Sequence, residues 1–150
     1  MKKTQELTPD TIWRQPYLFT FKEMSDALGD QRAKMLYTSL YKQKPNPEHL
    51  NISIKKIYKS NDTEKYVYEL SDGNYIETVY IRRRDGGTAC VSTQVGCAVG
   101  CIFCESGKNG LVRNLTPSEI VQQIILLRHK VNRIVFMGMG EPLFNYDSLL

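Results

Sequence analysis

No stretch of this sequence is both apolar and long enough to span a bilayer. The opening residues Met1-Lys2-Lys3-Thr4-Gln5-Glu6-Leu7 are polar and lack the apolar core of a secretory signal. Charge of one sign is not in large excess. The net charge of +4 is compatible with an RNA partner and does not require one. The basic residues are scattered. Their densest run, Arg82-Arg83-Arg84, reads either as a solvated turn or as a phosphate contact. Cysteine is sparse, with four in 150 residues, three of them in one short loop. That usage excludes a secreted disulfide framework and fits a metal in a reducing, cytoplasmic setting. There is no second C-x2-C pair, as structural zinc sites commonly have, and no C-x2-C-x2-C ferredoxin run.

What is present is Cys97-Ala98-Val99-Gly100-Cys101-Ile102-Phe103-Cys104, a C-x3-C-x2-C triplet. Three thiolates from so short a loop suit three irons of a 4Fe-4S cluster, leaving the fourth iron open to a small molecule. Gly96 and Gly100 let such a loop turn sharply. Phe103 reads equally as packing beside a bound group or as ordinary core. Cys90, seven residues upstream, keeps alternatives open: a closed four-thiolate zinc site, a closed four-thiolate cluster, or cysteines that bind no metal, free or as a disulfide.

The pattern along the chain is α/β. Thr20-Phe21-Lys22-Glu23 has the form of a capping box, with Met24, Ala27 and Leu28 as its apolar face. A second helix is expected from Gln31 to about Lys42, with Ala33, Leu36, Tyr37 and Leu40 inward, ended by Pro45-Asn46-Pro47. Trp13 reads as a core or lid residue. Ile52, Ile54 and Ile57 suggest one strand and Tyr66–Leu70 another. Ser71-Asp72-Gly73-Asn74 is a turn, Tyr75–Ile81 a third strand, and Asp85-Gly86-Gly87 a linker or tight turn. Beyond it, Ala89–Ser92 reads as a short strand. Thr116-Pro117-Ser118-Glu119 opens a helix whose apolar members are Ile120, Val121, Ile124, Ile125 and Leu127, broken by Asn132. Arg133–Met137 reads as a short apolar strand of the parallel type. Gly138-Met139-Gly140-Glu141-Pro142 lies at its end, and a further helix is expected from Asn145 or Asp147.

The blocks around the triplet carry a resemblance. Gly73–Val79, Cys90–Cys97, Cys104-Glu105-Ser106-Gly107, Arg113-Asn114-Leu115-Thr116 and Met137–Leu143 are similar, in order, to the radical S-adenosylmethionine (SAM) superfamily. Within it they resemble the methyltransferases that act on adenine C2 of ribosomal and transfer RNA, together with their C8-methylating relatives. The resemblance implies an N-terminal α+β region over 1–87 and, over 88–150, the first units of a partial (β/α)6 barrel. It implies a 4Fe-4S cluster on Cys97, Cys101 and Cys104, and S-adenosyl-L-methionine with its amino group near Gly140 and Glu141. Glu77 is then the general base that takes the adenine C2 proton. Cys90 is the thiol that resolves a covalent protein–RNA intermediate. Glu105 stands where many relatives have a small residue. The implied partners are ribosomal and transfer RNA and an electron donor such as flavodoxin or ferredoxin. A C-terminal portion, downstream or on another chain, is also implied, because the sequence reads as the N-terminal part of such a protein. The competing readings are a radical enzyme with another substrate and a four-cysteine zinc module that binds nucleic acid.

Overall fold

The computed structural model describes Thr8, Pro9, Ile12, residues 20–42 and residues 49–149. The expectations for Trp13, for the side chain of Leu40 and for Pro45-Asn46-Pro47 lie outside the described residues. Compactness divides the chain into Met1–Asn51 and Ile52–Leu150.

In the first unit, α1 (Phe21–Leu28) starts at the expected capping box. The Thr20 side chain accepts from the Glu23 amide, and the Glu23 carboxylate accepts from the Thr20 amide at 2.7 Å. Met24 and Leu28 are buried, and Gly29 ends the helix at φ +81°. The next helix, α2 (Asp30–Lys42), buries Ala33 and Leu36. Tyr37 departs from the expected inward position. It is exposed and packs edge-on against Phe21, with ring centroids 5.5 Å apart.

The second unit is built on one five-stranded sheet in the order β1-β2-β3-β4-β7. Strands β1 (Ile52–Ser60), β2 (Thr63–Leu70), β3 (Tyr75–Arg83) and β4 (Gly86–Cys90) form antiparallel pairs in sequence order. β7 (Val131–Val135) adds parallel to β4. The sheet therefore runs without interruption across the 87/88 position. Asp85-Gly86-Gly87 belongs to a hairpin and not to a linker, since Arg83 pairs directly with Gly86. Gly87 is required there, because a Cβ would stand 2.0 Å from the Tyr80 ring.

Alternation sets the two faces. Tyr66, Tyr68 and Leu70 on β2, Ile76 and Tyr80 on β3, and Ala89 on β4 are all buried on one face. In β1 the register slips between Ile54 and Lys56: Ile54 pairs with Tyr68, Lys56 with Val67 and Ile57 with Tyr66. Lys55 is thus the extra residue of a bulge. The bulge is why Ile54 and Ile57, three apart, both pack against the same core.

The connection from β4 to β7 contains a two-stranded ribbon, β5 (Gln94–Gly96) with β6 (Leu111–Asn114), and the helix α3 (Pro117–Ile125). α3 opens with the expected capping box at Thr116 and with proline in its first turn. It supplies Ile120 to the sheet core, beside Leu115 and Leu127. Three expectations are corrected here. The helix ends at Ile125, and Asn132 lies within β7, so that strand starts two residues earlier than its pattern suggested. The helix buries Gln122 and Gln123 more completely than Ile124 and Ile125, because Gln123 meets backbone that needs hydrogen-bond partners. The segment after Pro142 is a 3-10 stretch, Pro142–Ser148, broken at Asn145. Asn145 is buried there, and its amide donates to the carbonyls of Thr93 and Leu115, each at 2.8 Å.

Candidate active site

Cys97, Cys101 and Cys104 lie on the loop that the β5–β6 ribbon closes. At its base the Cys97 amide donates to the Gly110 carbonyl at 3.1 Å. A Cβ on Gly96 (φ +74°) would stand 2.1 Å from that same oxygen. The Cys104 amide donates to the Cys101 carbonyl at 3.0 Å, tightening the second half of the triplet. Arg113 anchors the ribbon. Its guanidinium grips the Glu119 carboxylate with two nitrogens, at 2.9 and 2.8 Å, and Asp72 at 2.6 Å. The Arg113 bond, with help from the Asn74 amide, holds the Asp72 carboxyl down to about 2.

All four thiols are free; Cys97 is buried and Cys101 exposed. Ile102 and Phe103 are 100% and 89% exposed, which removes the core reading of Phe103. Glu105 faces solvent and pairs with Lys108 at 2.6 Å. Among the described residues, no three His, Cys, Asp or Glu side chains are grouped as a metal-holding set. The fit to a cluster therefore rests on donor chemistry: three unpaired soft ligands on one loop with glycine turns and an open outer side.

The Gly138–Pro142 block is stitched to Ser92–Gln94. The Gly138 amide donates to the Val91 carbonyl at 3.0 Å, and the Met139 amide to Ser92 Oγ at 2.9 Å. The Thr93 amide returns a bond to the Met139 carbonyl at 2.8 Å, and the Glu141 amide donates to Gln94 Oε1 at 2.9 Å. A Cβ on Gly138 would lie 2.7 Å from the Val91 carbonyl carbon, and one on Gly140 2.5 Å from Gln94 Cβ. These glycines first serve the approach of two chain segments to each other. The Glu141 carboxylate accepts from the Leu143 amide at 3.1 Å and so caps the turn that follows. Thr93 Oγ1 is buried beside this seam with no hydrogen-bond partner among the described residues.

Glu77 and Cys90 share the sheet face opposite α3. Val79 pairs with Cys90, and Glu77 lies two residues from Val79 on the same side. The Glu77 carboxylate accepts from Lys65 Nζ at 2.9 Å, and its carbonyl accepts from Ser92 Oγ at 2.5 Å. Burial pushes the Cys90 thiol above its ordinary value of 9.0. The sequence reading missed the polar side chains that hold this arrangement, namely Ser92, Gln94, Gln123 and Asn145. No spacing marks them, because their partners are backbone groups distant in sequence.

The cysteine loop follows β4, which pairs in parallel with β7. Residues 91–149 match the family model "Radical SAM superfamily"; this segment is part of a radical SAM domain. The chain is similar to "Probable dual-specificity RNA methyltransferase RlmN" of Pseudothermotoga lettingae, 42% identical over 94% of this chain and 40% of that protein. It is also 46% identical to "Dual-specificity RNA methyltransferase RlmN" of Magnetococcus marinus, over 85% of this chain and 36% of the relative. A solved radical SAM methyltransferase from Sphaerobacter thermophilus shares the fold, with a TM-score of 0.82 and 31% identity, over 91% of this chain and 50% of that one. The chain thus spans about two-fifths of the curated relatives.

Proposed function

We propose that this chain is part of a radical SAM methyltransferase that modifies adenine C2 in 23S ribosomal RNA and in transfer RNA. The observation that carries the reading is the placement of Glu77 and Cys90 on one sheet face, next to the seam that joins the cysteine-loop strand to the Gly138–Pro142 block. Similarity to RNA methyltransferases supports it.

In this reading Cys97, Cys101 and Cys104 hold a 4Fe-4S cluster. The backbone at Gly140, the Glu141 carboxylate and the Thr93 hydroxyl meet the polar end of S-adenosylmethionine. When bound, cluster and cofactor supply one-electron chemistry and a methyl group. Glu77 acts as the base toward the adenine C2 proton, which requires it to leave Lys65 as the substrate arrives. The Cys90 thiolate would attack the sulfur of a second cysteine that carries the RNA adduct, one not among the four of these 150 residues: an S–S bond forms, the adduct's C–S bond breaks, and the carbon left on the base takes a proton to become the methyl group. The setting is the cytoplasm, with an electron donor of the flavodoxin or ferredoxin kind.

The test is anaerobic incubation of protein carrying these 150 residues with ribosomal and transfer RNA, S-adenosylmethionine and reductant, followed by nucleoside mass spectrometry. 2-Methyladenosine is the expected product, with a persistent protein–RNA adduct in Cys90→Ala. 8-Methyladenosine, or normal product release by the variant, overturns the assignment.

A further inference from the structure

The strand register places the two expected catalytic residues in adjacent cross-strand rows. One row runs Tyr58–Lys65–Val79–Cys90, and the other runs Lys56–Val67–Glu77. Directly paired residues project from the same face, so Lys56 and Tyr58 share the face of Glu77 and Cys90. Three strand spacings separate Tyr58 from Cys90, about 14 Å.

Tyr58 has no role in the core. Its apolar neighbours Ile54 and Ile57 pack on the other face, while Tyr58 stays 47% exposed. Lys56 Nζ lies 4.6 Å and Lys65 Nζ 5.3 Å from its ring centroid. By alternation and ion pairing, Lys55, Lys56, Lys65, Arg83 and Arg133 gather on this face; Glu69, Glu77 and Asp85 pair with Lys55, Lys65 and Arg133, so the excess positive charge is that of Lys56 and Arg83. Of the arginine run noted in the sequence, only Arg83 has this facing within the sheet; Arg82 pairs with Gly87 on the opposite one.

An exposed aromatic ring flanked by cations, on a sheet face in line with Cys90, matches what an unpaired nucleotide strand presents: a π-face on each base and an anion on each phosphate. We propose that this face is a landing surface for single-stranded RNA, on which one base stacks against Tyr58 and Lys56 and Lys65 take up adjacent phosphates. Lys65 moving to phosphate would also release Glu77. The proposal rests on the RNA methyltransferase reading and adds where and how the strand enters. A double helix, its bases already stacked, gains nothing from Tyr58.

The experiment is fluorescence anisotropy of the purified protein with a labelled single-stranded adenine-containing RNA and with the same RNA as a duplex. Tyr58→Ala is expected to weaken single-strand binding by about 10-fold or more, and Tyr58→Phe to retain it. Lys56→Ala is expected to weaken binding and lower the salt slope by about one. Duplex binding should not respond to Tyr58. Single-strand binding unchanged in Tyr58→Ala overturns the proposal. So does loss in Lys56→Ala alone, which marks a plain polyanion contact such as an acidic peptide would also make. Methylation assayed in parallel separates the two readings. Full methyl transfer with Tyr58-independent binding removes the landing surface and leaves the enzyme assignment. Tyr58-dependent binding without methyl transfer does the reverse.

Discussion

The side-chain amide of Gln123 clasps the backbone of Ser92 from both sides. Its Oε1 accepts from the Ser92 amide at 2.8 Å, and its Nε2 donates to the Ser92 carbonyl at 3.0 Å. Oε1 also accepts from Thr78 Oγ1 at 2.7 Å. One helix side chain thereby completes the hydrogen bonding of the segment where β4 ends, at a point where no strand is available to do so. Gln123→Ala leaves the Ser92 amide and the Thr78 hydroxyl buried and unpaired. A stability loss of about 2–4 kcal/mol is expected, read from the urea unfolding midpoint.

Gly138→Ala should separate the two segments that meet beside Ser92. The added Cβ collides with Val91 backbone, which cannot swing away as a side-chain tip would. A loss of about 1–3 kcal/mol is expected, together with faster hydrogen exchange at Gly138 and Met139. Gly73→Ala is the control. That position has open space and only a positive φ, so it should lose about 1 kcal/mol and leave those two amides protected.

Iron and sulfide analysis after anaerobic reconstitution checks the triplet. Replacing Cys97, Cys101 or Cys104 with alanine should abolish cluster binding, whereas Cys90→Ala should retain it. Zinc bound stoichiometrically and lost in the Cys90 variant would reject this assignment.

Alkylation of the metal-free protein should follow exposure. Cys101 reacts first and buried Cys97 last. The pH profile for Cys90, read by peptide mass spectrometry, should have its midpoint above 9.0, since burial disfavours the thiolate.

Acid should unfold the second unit through Glu64. Burial alone would raise this carboxyl. Hydrogen bonds with His129, Tyr66 and Lys59 outweigh that and bring it from 4.5 to about 2. A carboxyl lowered on folding stabilises the folded state above its unfolded value, and that contribution is lost as pH falls from about 4.5 toward about 2. Glu64→Gln should be less stable at neutral pH and show a flatter decline across this window, measured by thermal unfolding.

The legible parts of the sequence were those fixed by local chemistry. Thr20 with Glu23, and Thr116 with Glu119, each satisfy helix amides within four residues, so both helix starts could be read directly. Strand alternation in Tyr66–Leu70 and Tyr75–Ile81 likewise survives into the sheet. The cysteine triplet and the glycine block announced themselves by spacing. Their junction did not, because it depends on Ser92 and Gln94 meeting backbone some 47 residues away. The end of α3 was misplaced for a related reason. Apolar residues continue past Ile125, but Leu127 reaches the core from outside the helix.

The bulge at Lys55 makes the length of β1 as consequential as its composition. An unbulged β1 of the same length could keep the isoleucines inside on only one side of position 55. Flattening the bulge at unchanged length would either turn Ile57 out to solvent and Tyr58 into the core, or turn Ile52 and Ile54 out instead, whereas deleting Lys55 would leave all three isoleucines inside. A one-residue deletion should therefore be tolerated at Lys55 or Lys56 and be disruptive between Ile52 and Ile54, even though most side chains of this strand are exposed.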